Sequence, residues 1–211
     1  MIRLALLILS FLFLFGFFEL AAQGYVPQSL DTNNITSGGA AYSVSRTGDF
    51  AAGFAVAVGG GDAQPARWTS AGTTFLPRLT GDEAGEAQGV NDAGAAVGAS
   101  VNIMQQGQLT FFFLRGVLWS NPHNVVLLSS LATSGDTDIV PIEGIALNNH
   151  GLILGYGKRP QVDGIRAFVL DQTCGEMTDI GTLQGTQNSS AEPWDLNEQG
   201  EVVGSSEAAN F

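Results

Sequence analysis

Apolar residues recur along the chain in short runs, alternating or continuous, separated by clusters of Gly, Asn, Asp, Ser and Pro. Runs of that length and those breaks predict strands joined by turns rather than helices. Four segments share one pattern: AYSVSRTGDFAAG from Ala41, AQGVNDAGAAVG from Ala87, GIALNNHGLILG from Gly144 and PWDLNEQGEVVG from Pro193. In register, an apolar residue (Val44, Val90, Leu147, Leu196) precedes Ser45, Asn91, Asn148 or Asn197, and Gly48, Gly94, Gly151 or Gly200 stands three places later. Asn or Ser opening a type I turn bonds to the backbone just ahead, and glycine at its fourth position can take positive φ. Each segment therefore predicts a glycine-tipped hairpin. A second glycine on the returning strand (Gly53, Gly98, Gly155, Gly204) marks a place where a neighbouring backbone comes too close for a side chain. The first copy has one extra residue between its two glycines, which predicts a bulge there.

Two more short strands follow each hairpin. Trp68 and Trp119 stand at the same interval before Leu76 and Leu127; in the third unit AFVL (Ala167 to Leu170) and MTDIGTL (Met177 to Leu183) take these places. YVPQSL, Tyr25 to Leu30, matches the FLPRL that starts at Phe75 and reads as an outer strand of a preceding unit. Turn glycines at 48, 94, 151 and 200 give units of a propeller blade's size, about 40–50 residues with four strands each. The fold expected for residues 25–211 is thus all-β, a β-propeller-like array of four-stranded repeats, the last of them incomplete. After EVVGSS the pattern calls for another aromatic strand, so the chain is expected to be a partial product. The longer middle unit carries two insertions, NIMQQGQLTFF from Asn102 and SGDTDIVP from Ser134, expected as face loops of the kind through which repeat proteins bind.

The first 24 residues follow a different pattern. Arg3, an apolar run from Leu4 to Phe18, and small residues at Ala21, Ala22 and Gly24 have the form of a secretory signal peptide cleaved after Gly24. An uncleaved anchor fits less well, because the run falls short of the roughly 20 residues that span a bilayer and Glu19 interrupts it. FFFL at Phe111 to Leu114 is also too short to cross. The expected location is therefore outside the cytoplasm: extracellular, periplasmic or cell-surface, with no membrane insertion after cleavage.

Composition narrows the partners. Twenty acidic groups against 8 basic ones give a formal charge of −12, which repels phosphate backbones and excludes nucleic acid. The lone Cys174 cannot form an internal disulfide and reads as a small buried filler. No H-E-x-x-H, G-x-S-x-G or P-loop is present. His123 and His150 fall in turns, so no catalytic residue, metal ligand or cofactor is assigned. Asp136, Asp138 and Glu143 form the best carboxylate cluster for a calcium loop, yet they lack its full pattern. Trp68 and Trp119 read as packing residues, whereas Trp194 could stack on a sugar if exposed. The sequons at Asn34 and Asn188 are discounted.

The segment Ala167 to Gly204, with AFVL, GEMTDIGTL and LNEQGEVVG, resembles the secreted bacterial HAF-repeat proteins. It departs from them at Arg166, where the family has His, at Leu170 for Trp, and at Gln184 for Gly. The resemblance extends in skeleton over most of residues 25–211. It implies an extracellular, propeller-like protein of uncharacterised function and carries over no catalytic residues. Two functions follow as expectations: a binding or scaffold module that engages an extracellular glycan or protein through blade-face loops, or a polysaccharide- or ester-acting hydrolase or lyase with acidic residues in a central channel.

Overall fold

The computed structural model describes residues 29–30, 33, 35–186 and 188–208. The signal-peptide segment and the Asn34 sequon lie outside them. Of Tyr25 to Leu30 only Ser29 and Leu30 are described, and neither is in a strand.

The chain is all-β, built of several antiparallel sheets, none closed into a barrel. The first sheet runs β1 (Ile35–Val44), β2 (Ala51–Ala57), β3 (Gln64–Thr69) and β4 (Gly72–Phe75), each strand paired with the next. The second repeats that order with β5 (Ala84–Val90), β6 (Ala96–Gln106), β7 (Leu109–Asn121) and β8 (Asn124–Leu127). A single helical turn, α1 (Leu128–Leu131), leads to β9 (Ser134–Gly135) and then to β10 (Val140–Leu147), β11 (Leu152–Lys158), β12 (Ile165–Asp171) and β13 (Glu176–Asp179). Short β9 pairs in parallel with β13 and so becomes the outer edge of the third sheet. The last sheet is one hairpin, β14 (Ala191–Leu196) and β15 (Val202–Ser206).

The leading strand of each later sheet packs on the face of the sheet before it: β5 on β1 to β3, β10 on β5 to β7, and β14 on β10 to β12. Two apolar cores fill the first two of these three seams. Ala52, Leu76, Ala87, Val90, Val117 and Trp119 fill the first, and Val97, Leu118, Leu128, Ile153, Phe168 and Met177 the second. Small residues on the leading strands allow this approach, since bulky side chains on both faces would hold the sheets farther apart. Trp68 and Trp119 are buried, and the indole of Trp119 donates to the Pro77 carbonyl at 2.6 Å.

Three expectations need correction. Cys174 is exposed, in the tight turn joining β12 to β13. The extra residue of the first hairpin is taken up in its loop, which closes from the Ser45 N–H to the Phe50 carbonyl where the others close one residue sooner. The bulge belongs to the leading strand of all four hairpins, at Ala41/Ser43, Ala87/Gly89, Gly144/Ala146 and Pro193/Asp195. Finally, the insertion from Asn102 is no loop: it lengthens β6 and β7 into a two-stranded ribbon paired from Asn102↔Phe113 to Gln106↔Leu109.

Candidate functional site: the hairpin-tip cleft

The four tips are locally determined. Asn91 Oδ1 accepts from the N–H groups of Ala93 and Ala95, both at 3.1 Å. Asn148 Oδ1 takes those of His150 and Leu152, both at 3.0 Å, and Asn197 Oδ1 those of Gln199 and Glu201 at 3.0 and 2.9 Å. In the first tip Ser45 supplies only its Oγ, to Phe50 N–H at 3.2 Å. The turn glycines Gly48, Gly94, Gly151 and Gly200 have φ of +81°, +74°, +87° and +81°, the left-handed region that a side chain disfavours. On the returning strands, a Cβ at Gly53, Gly98, Gly155 or Gly204 would overlap the carbonyl oxygen of Ala40, Glu86, Glu143 or Glu192. The bulged leading strand turns these carbonyls toward its partner, so glycine is required opposite each one.

The tips are also tied to one another. The Asn91 side-chain amide donates to the Asn148 carbonyl at 3.3 Å, 57 residues away, and the Asn148 amide donates to the Asn197 carbonyl at 3.1 Å, 49 residues away. The next residue of each turn ties the same tips a second time. Asp92 accepts from the Thr47 N–H at 2.8 Å and from Asn149 Nδ2 at 2.9 Å, while Asn149 Oδ1 accepts from the Asp92 N–H at 2.9 Å. Glu198 accepts from the Asn149 N–H at 3.1 Å and from its amide at 2.6 Å. The Thr47 N–H, helped by the Asn149 amide and Arg46, holds the Asp92 carboxyl below its usual pKa.

Where the tips converge they enclose a cleft of about 180 Å³. It is lined by the buried side chains of Val90, Leu147 and Leu196, by the exposed Val44, and by the polar residues Arg46, Asn149, Asp195 and Glu198. The lining therefore offers a guanidinium donor and two carboxylate acceptors beside aliphatic side chains.

Deeper along the leading strands lies a carboxyl cluster that the motif search passed over. Glu86, Glu143 and Glu192 occupy one register position, four residues before Val90, Leu147 and Leu196. Glu143 is 6% exposed; it accepts from Gln88 Nε2 at 3.1 Å and from the Tyr156 hydroxyl at 2.8 Å. Burial raises its pKa, the neighbouring Glu86 adds to the rise, and the two hydrogen bonds oppose it. Burial and the Glu143 charge push the Tyr156 phenol well above its usual value, and burial with Glu86 raises Tyr42. Extending the four-hairpin register back by four residues would have exposed this position in the sequence.

The other singled-out residues lie elsewhere. Asp136 and Asp138 are far from Glu143 in role: Arg159 bridges them at 2.7 and 3.3 Å and reaches Asp179 at 3.2 Å. Arg166 forks onto both Asp179 oxygens at 2.9 and 3.0 Å. Among the described residues no group of three or more His, Cys, Asp or Glu side chains is placed to hold a metal ion. His150 sits exposed on its turn, 3.3 Å from Glu198, and His123 is exposed beside Asn121. Trp194 is 63% exposed. No helix among the described residues is long and apolar enough to cross a membrane.

No family model, no curated protein and no solved structure matches this chain. The HAF resemblance accordingly rests on the quoted residues alone.

Proposed function

We propose that this chain is an exported, propeller-like binding module whose hairpin-tip cleft takes a hydroxyl-rich ligand, the terminal residue of an extracellular glycan. The supporting observation is the cleft itself, where hairpin tips tied to one another surround a guanidinium donor and carboxylate acceptors beside aliphatic side chains. A sugar ring presents the complementary surface, with hydroxyls that both donate and accept around its rim and C–H groups on its face. Ligand sites for drug-sized molecules usually run from about 300 Å³ upward, so a cleft of about 180 Å³ suits a single ring at a chain end. Exposed Trp194, next to the cleft residue Asp195, adds a stacking surface for the ring that follows. The face-to-face seams between successive sheets support the propeller-like reading. The leader supports export.

A second reading, a hydrolase or lyase acting on polysaccharide or ester, draws on the contact between Glu86 and Glu143 and on the raised pKa of Glu143. Paired carboxyls with separated proton affinities are the machinery of acid–base hydrolysis. Here both oxygens of Glu143 are occupied by Gln88 and Tyr156 and the side chain is buried, which favours a structural role for the pair.

The two are separated by presenting the chain to a glycan panel while assaying for newly released reducing ends. Binding without cleavage, weakened about tenfold in Asp195→Ala, is expected for loss of one charge-assisted hydrogen bond. Cleavage abolished in Glu143→Gln would install the second reading. No binding to any glycan would remove the first.

A further inference from the structure

Among the described residues, the ribbon at the end of β6 and β7 concentrates exposed aromatic and aliphatic side chains. β5 accompanies β6 only as far as Val101, and β8 pairs with β7 only from Val117 onward. Between these points no further strand pairs with either of them among the described residues. Phe111, Phe112 and Phe113 are 39%, 61% and 49% exposed, Met104 is 50% and Leu109 63%. From Val101 to Leu114 there is no charged side chain and no proline, in a chain of net charge −12.

Exposed strand edges are normally blunted by Lys, Pro or a bulge, because an open edge recruits other strands. This ribbon carries none of these on β7. The β6 edge is partly capped, since Glu83 accepts from the Ile103 N–H at 2.8 Å, so the open edge is that of β7. A lipid bilayer is a poor occupant: the edge would leave its N–H and C=O groups unbonded in hydrocarbon, and the tip is the polar Gln105, Gln106 and Gln108. Charge selects among protein partners. Two copies of so acidic a chain repel over most of their surface, and the neutral ribbon is where they can meet without opposed like charges.

We propose that two copies of the chain associate through this ribbon, their β7 edges pairing antiparallel about a two-fold axis near Phe112 to form a four-stranded sheet across the dimer. An isologous contact of this kind presents the same patch from both sides. In a register centred on Phe112, Phe111 of one copy lies opposite Phe113 of the other, an aromatic cross-strand pair of the kind that stabilises sheets. The axis sets the two Phe112 side chains against each other.

That symmetry supplies the test. The full chain, expressed with its own leader and purified, is compared with Phe112→Glu and Phe112→Lys by sedimentation equilibrium. The wild type is expected to dimerise reversibly with concentration. Each variant should dimerise roughly tenfold more weakly or worse, because like charges meet at the axis, and an equimolar mixture of the two should regain the dimer. Side chains as exposed as Phe112 tolerate the change without unfolding, which unaltered circular dichroism would verify. A monomeric wild type at its highest soluble concentration overturns the proposal, as do variants that dimerise like the wild type or a mixture that stays monomeric. Binding of a monomeric wild type to neutral phosphatidylcholine vesicles, lost in Phe112→Glu, would overturn it in favour of a lipid surface.

Discussion

Replacing Asn148 by Ala removes the centre of the tip-to-tip ladder. Asn148 is 3% exposed and makes three hydrogen bonds: it accepts from the His150 and Leu152 N–H groups and donates to the Asn197 carbonyl. Alanine leaves two donors and one acceptor without these partners at a site that water reaches poorly. A buried polar group left unpaired costs about 1–3 kcal/mol, less where relaxation admits water. Allowing for that relief, the loss should total about 3 kcal/mol. Asn197→Ala is the internal control. Its Oδ1 makes the same two turn bonds, but it is exposed, and its amide reaches only Glu201 of its own hairpin. Water can replace what is removed, so the cost should be near 1 kcal/mol. With a urea slope of about 1–3 kcal/mol per molar for a domain of this kind, the two midpoints should differ by roughly 1 M. Urea titration followed by tryptophan fluorescence and circular dichroism measures both. Equal losses in the two variants would refute the reasoning, for the turn bonds would then carry everything and the cross-hairpin bond nothing.

The close-approach glycines should be the least replaceable. Gly98→Ala forces its Cβ into the Glu86 carbonyl and should cost about 3 kcal/mol or more, whereas Gly48→Ala meets nothing within 4 Å and should cost about 1 kcal/mol for its positive φ; thermal melts rank them, and the reverse order would rule out the bulge account. Because burial raises the Glu143 pKa in the folded state, that state holds the proton more tightly than the unfolded chain. The stabilisation is full below the unfolded value near pH 4 and is lost as pH rises through the folded one. The stability of Glu143→Gln relative to the wild type should therefore improve as pH rises above about 4, and a pH-independent difference would exclude the linkage. Asp179→Asn should lower stability by about 3 kcal/mol, since it strips Arg166, 10% exposed, of a two-pronged partner and weakens the bond to Arg159. A loss under 1 kcal/mol would show that solvent already screens the pair.

What the sequence yielded depended on range. The tips were legible because N-x-x-G acts within five residues, each Asn side chain bonding to its own turn. Strand glycines were legible for a related reason, since a missing Cβ records close approach wherever the neighbour comes from. The ladder was not legible: Asn91 and Asn148 meet across 57 residues, and only the stacking of sheets decides that their amides point at the next carbonyl. The ribbon was misjudged because its length disrupts the spacing between units, and residues 102–113 lack the apolar–polar alternation that marks a strand pair in sequence. Cys174 was misplaced because residue type predicts average burial, and a turn position overrode it. Glu86, Glu143 and Glu192 could have been found by carrying the register four residues farther back.

Side-chain amide exchange of Asn91, Asn148 and Asn197, resolved by NMR, tests the tip-to-tip ladder most directly. The Nδ2 protons of Asn91 and Asn148 should exchange slowly, held by carbonyls of the neighbouring hairpins, while those of Asn197 exchange faster. Equal, fast exchange at all three positions would contradict the stacked arrangement of hairpins on which the rest is built.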